Sequence, residues 1–178
     1  MKNSNFTTYV LCCALVLCAF GCTSSTTTTS SVPEIAPEHV HSDRPAVVVV
    51  PDDYDATLSY PLIIELHGFG ANAKVEDNLI FNLKDRATRY GYVLILPDGL
   101  INSEDRRYWN ATDECCDLDD TGNDDIAYVQ SLIAQAVTQI AIDRDQVTLV
   151  GHSNGGYLAN HFACNSSEPV ARIVNLAG

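Results

Sequence analysis

The chain has 178 residues, 46% of them hydrophobic, with 10 Lys and Arg against 23 Asp and Glu for a net charge of −13. That length suits one domain or part of one, and the composition suits a buried core. So acidic a surface repels phosphate backbones, which excludes nucleic acid as an expected partner and disfavours anionic membranes and acidic polymers.

Lys2 followed by the apolar run "YVLCCALVLCAF" reads as a signal peptide over residues 1–21, too short for a comfortable membrane span. Ala19 and Gly21 ahead of Cys22 resemble a bacterial lipobox, although Phe20 fills a slot that is usually small. The resemblance implies cleavage before Cys22 and lipidation of that residue. It also implies export and anchoring to a bacterial membrane, in the periplasm or at the cell surface. An ordinary secretory signal, leaving the protein extracellular, is the alternative. Residues 22–43 are rich in Ser, Thr and Pro and read as a tether. The folded domain is expected over 44–178.

From Arg44 onward, strands alternate with helices. "AVVVV" is a strand stopped by Pro51, and "PLIIELHG" is a second whose unbroken apolar run suits a sheet covered on both faces. Val75–Tyr90 is predicted as one helix closed by Gly91, followed by the strand "YVLILPDG". A polar loop over Leu100–Asn123 leads into a helix in which Ile126, Val129, Leu132, Ile133, Ala136, Val137 and Ile140 recur at helical spacing. Asp124 and Asp125 open it favourably for its dipole. "QVTLV", a further helix and "ARIVNLAG" complete the pattern. This alternation predicts an α/β fold with a mostly parallel sheet and right-handed crossovers, its chemistry at the carboxyl ends of the strands.

Gly151-His152-Ser153-Asn154-Gly155 matches the G-x-S-x-G nucleophile elbow, with an apolar strand before it and a helix after it. The pattern makes Ser153 the candidate nucleophile. "ELHGFGAN" reads as an oxyanion loop, whose Phe69 N–H would join that of Asn154 in holding a developing oxyanion. His67 and Trp109 are candidate substrate-contacting residues. For His67 a structural role, hydrogen-bonded behind the loop, is read ahead of a general base, and for Trp109 packing of the loop onto the sheet stands equally beside a substrate wall. "DLDDTGND" faintly resembles a calcium loop, but Tyr128 stands where the bidentate Glu belongs, so no metal is expected.

In order along the chain come LHGFG, LPDG, RYWNA, the vicinal Cys115-Cys116 pair, an Asp-Asp helix start, IDRDQV, GHSNGG, and Cys164 in the helix after the elbow. Together, over Pro61–Gly178, they resemble the polyhydroxybutyrate depolymerase and feruloyl esterase-like family of secreted α/β-hydrolases. The resemblance implies a monomeric serine esterase acting through an acyl-enzyme, without cofactor. Its substrates would be small or polymeric esters, hydroxyalkanoate or feruloyl in type. A disulfide from Cys164 to Cys115 or Cys116 is also implied.

The α/β-hydrolase order is Ser, then acid, then His. His39 and His41 lie in or near the tether, His152 adjoins the serine and cannot turn back on its Oγ, and His161 is two turns into the next helix. With His67 assigned to the oxyanion loop, the triad acid and histidine are expected beyond Gly178, and the C-terminal strands with them. The expectation is a weak or inactive catalyst in this form. "ARIVNLAG" is then an uncovered apolar strand. The competing reading is a non-catalytic surface lipoprotein that keeps the hydrolase fold.

Overall fold

The computed structural model describes residues 32–113 and 115–178. The signal peptide over 1–21 and the lipidation of Cys22 lie outside these residues, as does Glu114. Six strands form one sheet in the order β1-β2-β4-β3-β7-β8. They are β1 (His39–Val40), β2 (Ala46–Val49), β3 (Tyr60–Leu66), β4 (Val93–Leu96), β7 (Ile142–His152) and β8 (Arg172–Leu176). The pairs β3-β4, β3-β7 and β7-β8 are parallel, whereas β1-β2 and β2-β4 are antiparallel. A short ribbon of β5 (Leu100–Ile101) and β6 (Arg107–Tyr108) stands apart.

The strand sequences explain why both faces are covered. In β3 and β4, Leu62, Ile64, Leu66, Val93 and Ile95 enter one core cluster, while Ile63, Leu94 and Leu96 enter the other. Alternation of two apolar sets along one strand leaves no face for water. Helices α3 (Asp125–Gln139) and α4 (Asn154–Asn165) cover the first face through Val129, Leu132, Ile133, Leu158 and Phe162. On the second face lie α1 (Ala73–Glu76) and α2 (Leu83–Tyr90), which contribute Ala73, Leu83 and Ala87. Each fully buried aliphatic side chain of this set contributes about 1.5–3 kcal/mol.

Three expectations are corrected. The helix over Val75–Tyr90 is not continuous: a π-helical turn at Asp77–Phe81 and a left-handed Asn82 (φ 52°) separate α1 from α2. The break has a chemical cause. Asp77 Oδ1 accepts from the Leu83 and Lys84 amides at 2.5 and 3.0 Å and so restarts the helix. The tether boundary at residue 43 also moves. His39–Val40 pairs with β2, Val40 is 2% exposed, and Val32 and Ala36 pack on the core.

The third correction concerns the disulfide. Cys115 is bonded to Cys116, and Cys164 is free and exposed on α4. Cys164 lines an open hollow with Thr112 and Asp113 of the loop, but its thiol is exposed and unpaired because Cys115 and Cys116 are bonded to each other. A maleimide added to the native chain should therefore modify Cys164, read by peptide mapping. Protection of Cys164 in the absence of reductant would contradict this pairing.

Candidate active site

Strand β7 runs straight into α4, and Ser153 occupies the junction at φ 49° and ψ −118°. A non-glycine residue at positive φ is strained, and such strain persists only where the surroundings enforce it. Here they do. A Cβ on Gly155 would lie 2.1 Å from Leu66 O, and one on Gly151 would lie 2.2 Å from Gly155 O. The helix can begin this close to β3 only because those side chains are missing.

The candidate oxyanion loop leaves β3 directly opposite. A Cβ on Gly68 would stand 3.5 Å from Ser153 Cβ, so loop and elbow touch. Gly70 N–H donates to Arg107 O at 2.7 Å and Ala71 N–H to Gly68 O at 3.1 Å. Among the described residues, the Phe69 and Asn154 amides have no backbone acceptor. Phe69 is half-buried, its ring lying under the Arg106 guanidinium at 4.2 Å.

His67 and Trp109 are both completely buried, so neither is a substrate-contacting residue. Both serve the loop from behind. His67 Nε2 accepts from Gly99 N–H at 2.8 Å, which leaves its proton on Nδ1 to donate to Gly68 O at 2.8 Å. Burial holds the imidazole below the usual histidine range, keeping it neutral for these two bonds. Trp109 Nε1 donates to His67 O at 2.9 Å.

Trp109 also grips the elbow through its backbone. Its N–H donates to Asn154 Oδ1 at 2.8 Å, and Asn154 Nδ2 donates to Trp109 O at 2.9 Å. The RYWNA segment thus straps oxyanion loop and elbow together. Beneath it, Arg44 lies 5.0 Å from the Trp109 ring centroid and 3.9 Å from that of Tyr128. Its Nη1 meets Asp125 Oδ1 at 2.6 Å. Asp125 Oδ2 accepts from Asn110 N–H at 2.7 Å, tying the strap to the start of α3. Three further acids of this span are engaged locally: Asp117 receives Thr121 and Gly122, Asp119 receives Ser103, and Asp124 caps α3.

The sheet order, the strained serine between strand and helix, and the glycine loop at the end of the adjacent strand form one arrangement. A family model described as the alpha/beta hydrolase fold matches residues 61–178. The chain belongs to the alpha/beta hydrolase fold family. The chain is 26% identical over 148 residues to a probable feruloyl esterase C of Aspergillus niger, an alignment covering 79% of this chain and 48% of that protein. An acetyl xylan esterase from Aspergillus awamori superposes with a TM-score of 0.61 at 13% identity, over 76% of this chain and 49% of that one. The Staphylococcus aureus fluorophosphonate-binding serine hydrolase F superposes at 0.56 with 18% identity, over 78% and 54%. The chain spans about half the length of the curated feruloyl esterases that it matches.

Within this hydrolase fold, the described histidines are placed away from the serine hydroxyl or committed elsewhere. His161 Nδ1 bonds Ala111 O. His39 and His41 belong to the β1 end of the sheet, four strand spacings or roughly 19 Å from β7. His152 turns its Nδ1 to Glu76 at 2.7 Å. The sequence pattern did not single out Glu76, Asn154's side chain or Arg44. Glu76 reads as an ordinary helix-surface acid, and only its proximity to a loop eight residues earlier gives it a partner.

Proposed function

We propose that this chain supplies the nucleophile and the oxyanion donors of an exported serine esterase. Ser153 Oγ attacks the ester carbonyl, and the alcohol leaves as the serine proton passes to it through a base. Water then hydrolyses the acyl-enzyme by the reverse proton route. The Phe69 and Asn154 amides receive the negative charge of the tetrahedral intermediate, and each such donor is worth about 100- to 1,000-fold in rate. The observation that carries this reading is the strained Ser153 at the β7–α4 junction, pressed against the Gly68–Phe69 loop.

Among the described residues no imidazole stands ready as the base, so the triad acid and histidine are proposed to come from outside them. Hydroxyalkanoate oligomers or polyesters and feruloyl-type esters are the proposed substrates. The similarity to a feruloyl esterase supports that class, and a net charge of −13 disfavours polyanionic alternatives. Secretion with lipidation at Cys22 is proposed from the leader residues.

A fluorophosphonate probe tests the nucleophile. The 178-residue chain should label slowly, at Ser153 alone, and Ser153→Ala should remove the label completely. Labelling unchanged by Ser153→Ala would refute the assignment, and no labelling at all would favour the non-catalytic lipoprotein. Rapid turnover of a nitrophenyl ester by this chain, abolished by Ser153→Ala, would show that a base lies within it.

A further inference from the structure

One carboxylate joins the two halves of the site. Glu76 closes α1, is 3% exposed, and has its own amide fixed by Asn72 O at 2.9 Å. Its Oε2 accepts from Gly68 N–H at 3.2 Å. Its Oε1 lies 2.7 Å from His152 Nδ1, the residue before the nucleophile. That approach is bent from ideal hydrogen-bond geometry, and neither atom has another partner among the described residues. The contact is a close approach of the two groups rather than an aligned hydrogen bond.

We propose that Glu76 is a positioning residue, which fixes the oxyanion loop against the nucleophile elbow. This rests on the reading of Ser153 as nucleophile. Gly68 N–H lies in the His67–Gly68 peptide, so Glu76 fixes the peptide that leads into the Gly68–Phe69 unit. That unit is held in turn through Gly68 O, which accepts from His67 Nδ1 and Ala71 N–H, and together these bonds set the direction of the Phe69 N–H. On the other side, His152 precedes Ser153 in a strand-to-helix turn that is already strained. A Cβ on Gly68 would come within 3.1 Å of His152 Nδ1, so the two segments meet with nothing between them. Contact alone lets surfaces slide. A carboxylate hydrogen-bonded to one and packed 2.7 Å from the other, on a helix end anchored independently, does not. Burying a charge is costly, and an apolar residue of equal length would fill the space without that cost. What the carboxylate adds is registration of two donors with one nucleophile. A displacement of about 1 Å at such a site can cost on the order of 100-fold.

Stability and reactivity should separate in two variants of the full chain. Glu76→Met keeps the length and removes the acceptors. Glu76→Gln can accept from Gly68 N–H through its carbonyl and donate to His152 Nδ1 through its amide. The expected result is a fluorophosphonate labelling rate at Ser153 lowered ~10-fold or more in the Met variant, with Tm unchanged or raised, and most of the rate recovered in the Gln variant. Undiminished labelling of the Met variant overturns the proposal. So does a fall in labelling that merely follows a fall in Tm, or one that Gln does not rescue. If wild type does not label above Ser153→Ala, the esterase reading fails in this chain, and amide exchange decides the tie separately. Faster exchange at Gly68, Phe69 and Asn154 in the Met variant, reversed in the Gln variant and absent from Val147–Val150, keeps it. Unchanged exchange overturns it.

Discussion

Gly155→Ala should cost about 3 kcal/mol or more and leave Ser153 unreactive. The added methyl would sit 2.1 Å from Leu66 O, 2.5 Å from Leu66 C and 2.7 Å from His67 O. All three are backbone atoms of β3 and the oxyanion loop, so no side chain can swing aside. Either α4 lifts from the sheet or the loop retreats. Lifting α4 exposes Leu158 and Phe162, both completely buried. Retreat of the loop breaks the His67 and Trp109 bonds that hold it. The measurement is chemical denaturation beside fluorophosphonate labelling. A variant with wild-type midpoint and labelling rate would mean that the close approach of helix to strand is not real.

Glu65→Gln should stabilise the protein increasingly as pH rises. Glu65 is completely buried on β3, facing Asp77 and Glu76, and neither of its oxygens finds a donor among the described residues. Burial first, and then those two carboxylates, push its carboxyl up from 4.5 to about 9. A proton on Glu65 makes it the donor to Asp77. The folded state therefore keeps that proton where the unfolded chain has released it. Stability from this group is full below pH 4.5 and drains away as pH rises toward about 9, at about 1.4 kcal/mol per pH unit.

Gln keeps a donor for Asp77 and has no proton to lose. The difference between variant and wild type should be small near pH 4 and on the order of 3 kcal/mol in favour of Gln by pH 7. His67 works in the opposite direction: its lowered value costs stability as pH falls below 6.5. Because both proteins carry His67, its contribution cancels in the difference. Parallel stability curves across this range would show that Glu65 is ionised in the fold.

Much of the fold is legible in the sequence because apolar periodicity is a local property. The runs at Leu62–Leu66 and Val93–Leu96 could only be strands covered on both faces, and the α3 spacing could only be a buried helix face. The elbow was legible because two glycine-dependent contacts, at Gly151 and Gly155, leave their mark within five residues. Glu76 was not. Its meaning depends on two segments brought together by different strands, and nothing within helical reach of it announces a partner. The break between α1 and α2 was hidden for a related reason. Asp77 looks like one more surface acid until the Leu83 and Lys84 amides turn toward it. Trp109 was visible as an important residue, but its role was ambiguous. An indole that walls a pocket and one that floors a loop are the same letter, and only burial separates them. The cysteine pairing was equally open, because vicinal residues and a third one downstream admit more than one bridge.

Arg44 redraws the N-terminal edge of the described fold. Its guanidinium is the floor beneath Trp109 and the counter-charge of the completely buried Asp125, yet it lies ahead of the first long strand. A recombinant version trimmed to begin at Ala46 would lose only the two-residue edge strand β1 from its sheet. It would nonetheless leave Asp125 as an orphan charge under the strap, a defect worth about 3–5 kcal/mol in other proteins. The segment that precedes β2 is therefore as much a part of the foldable unit as the helix that carries the serine.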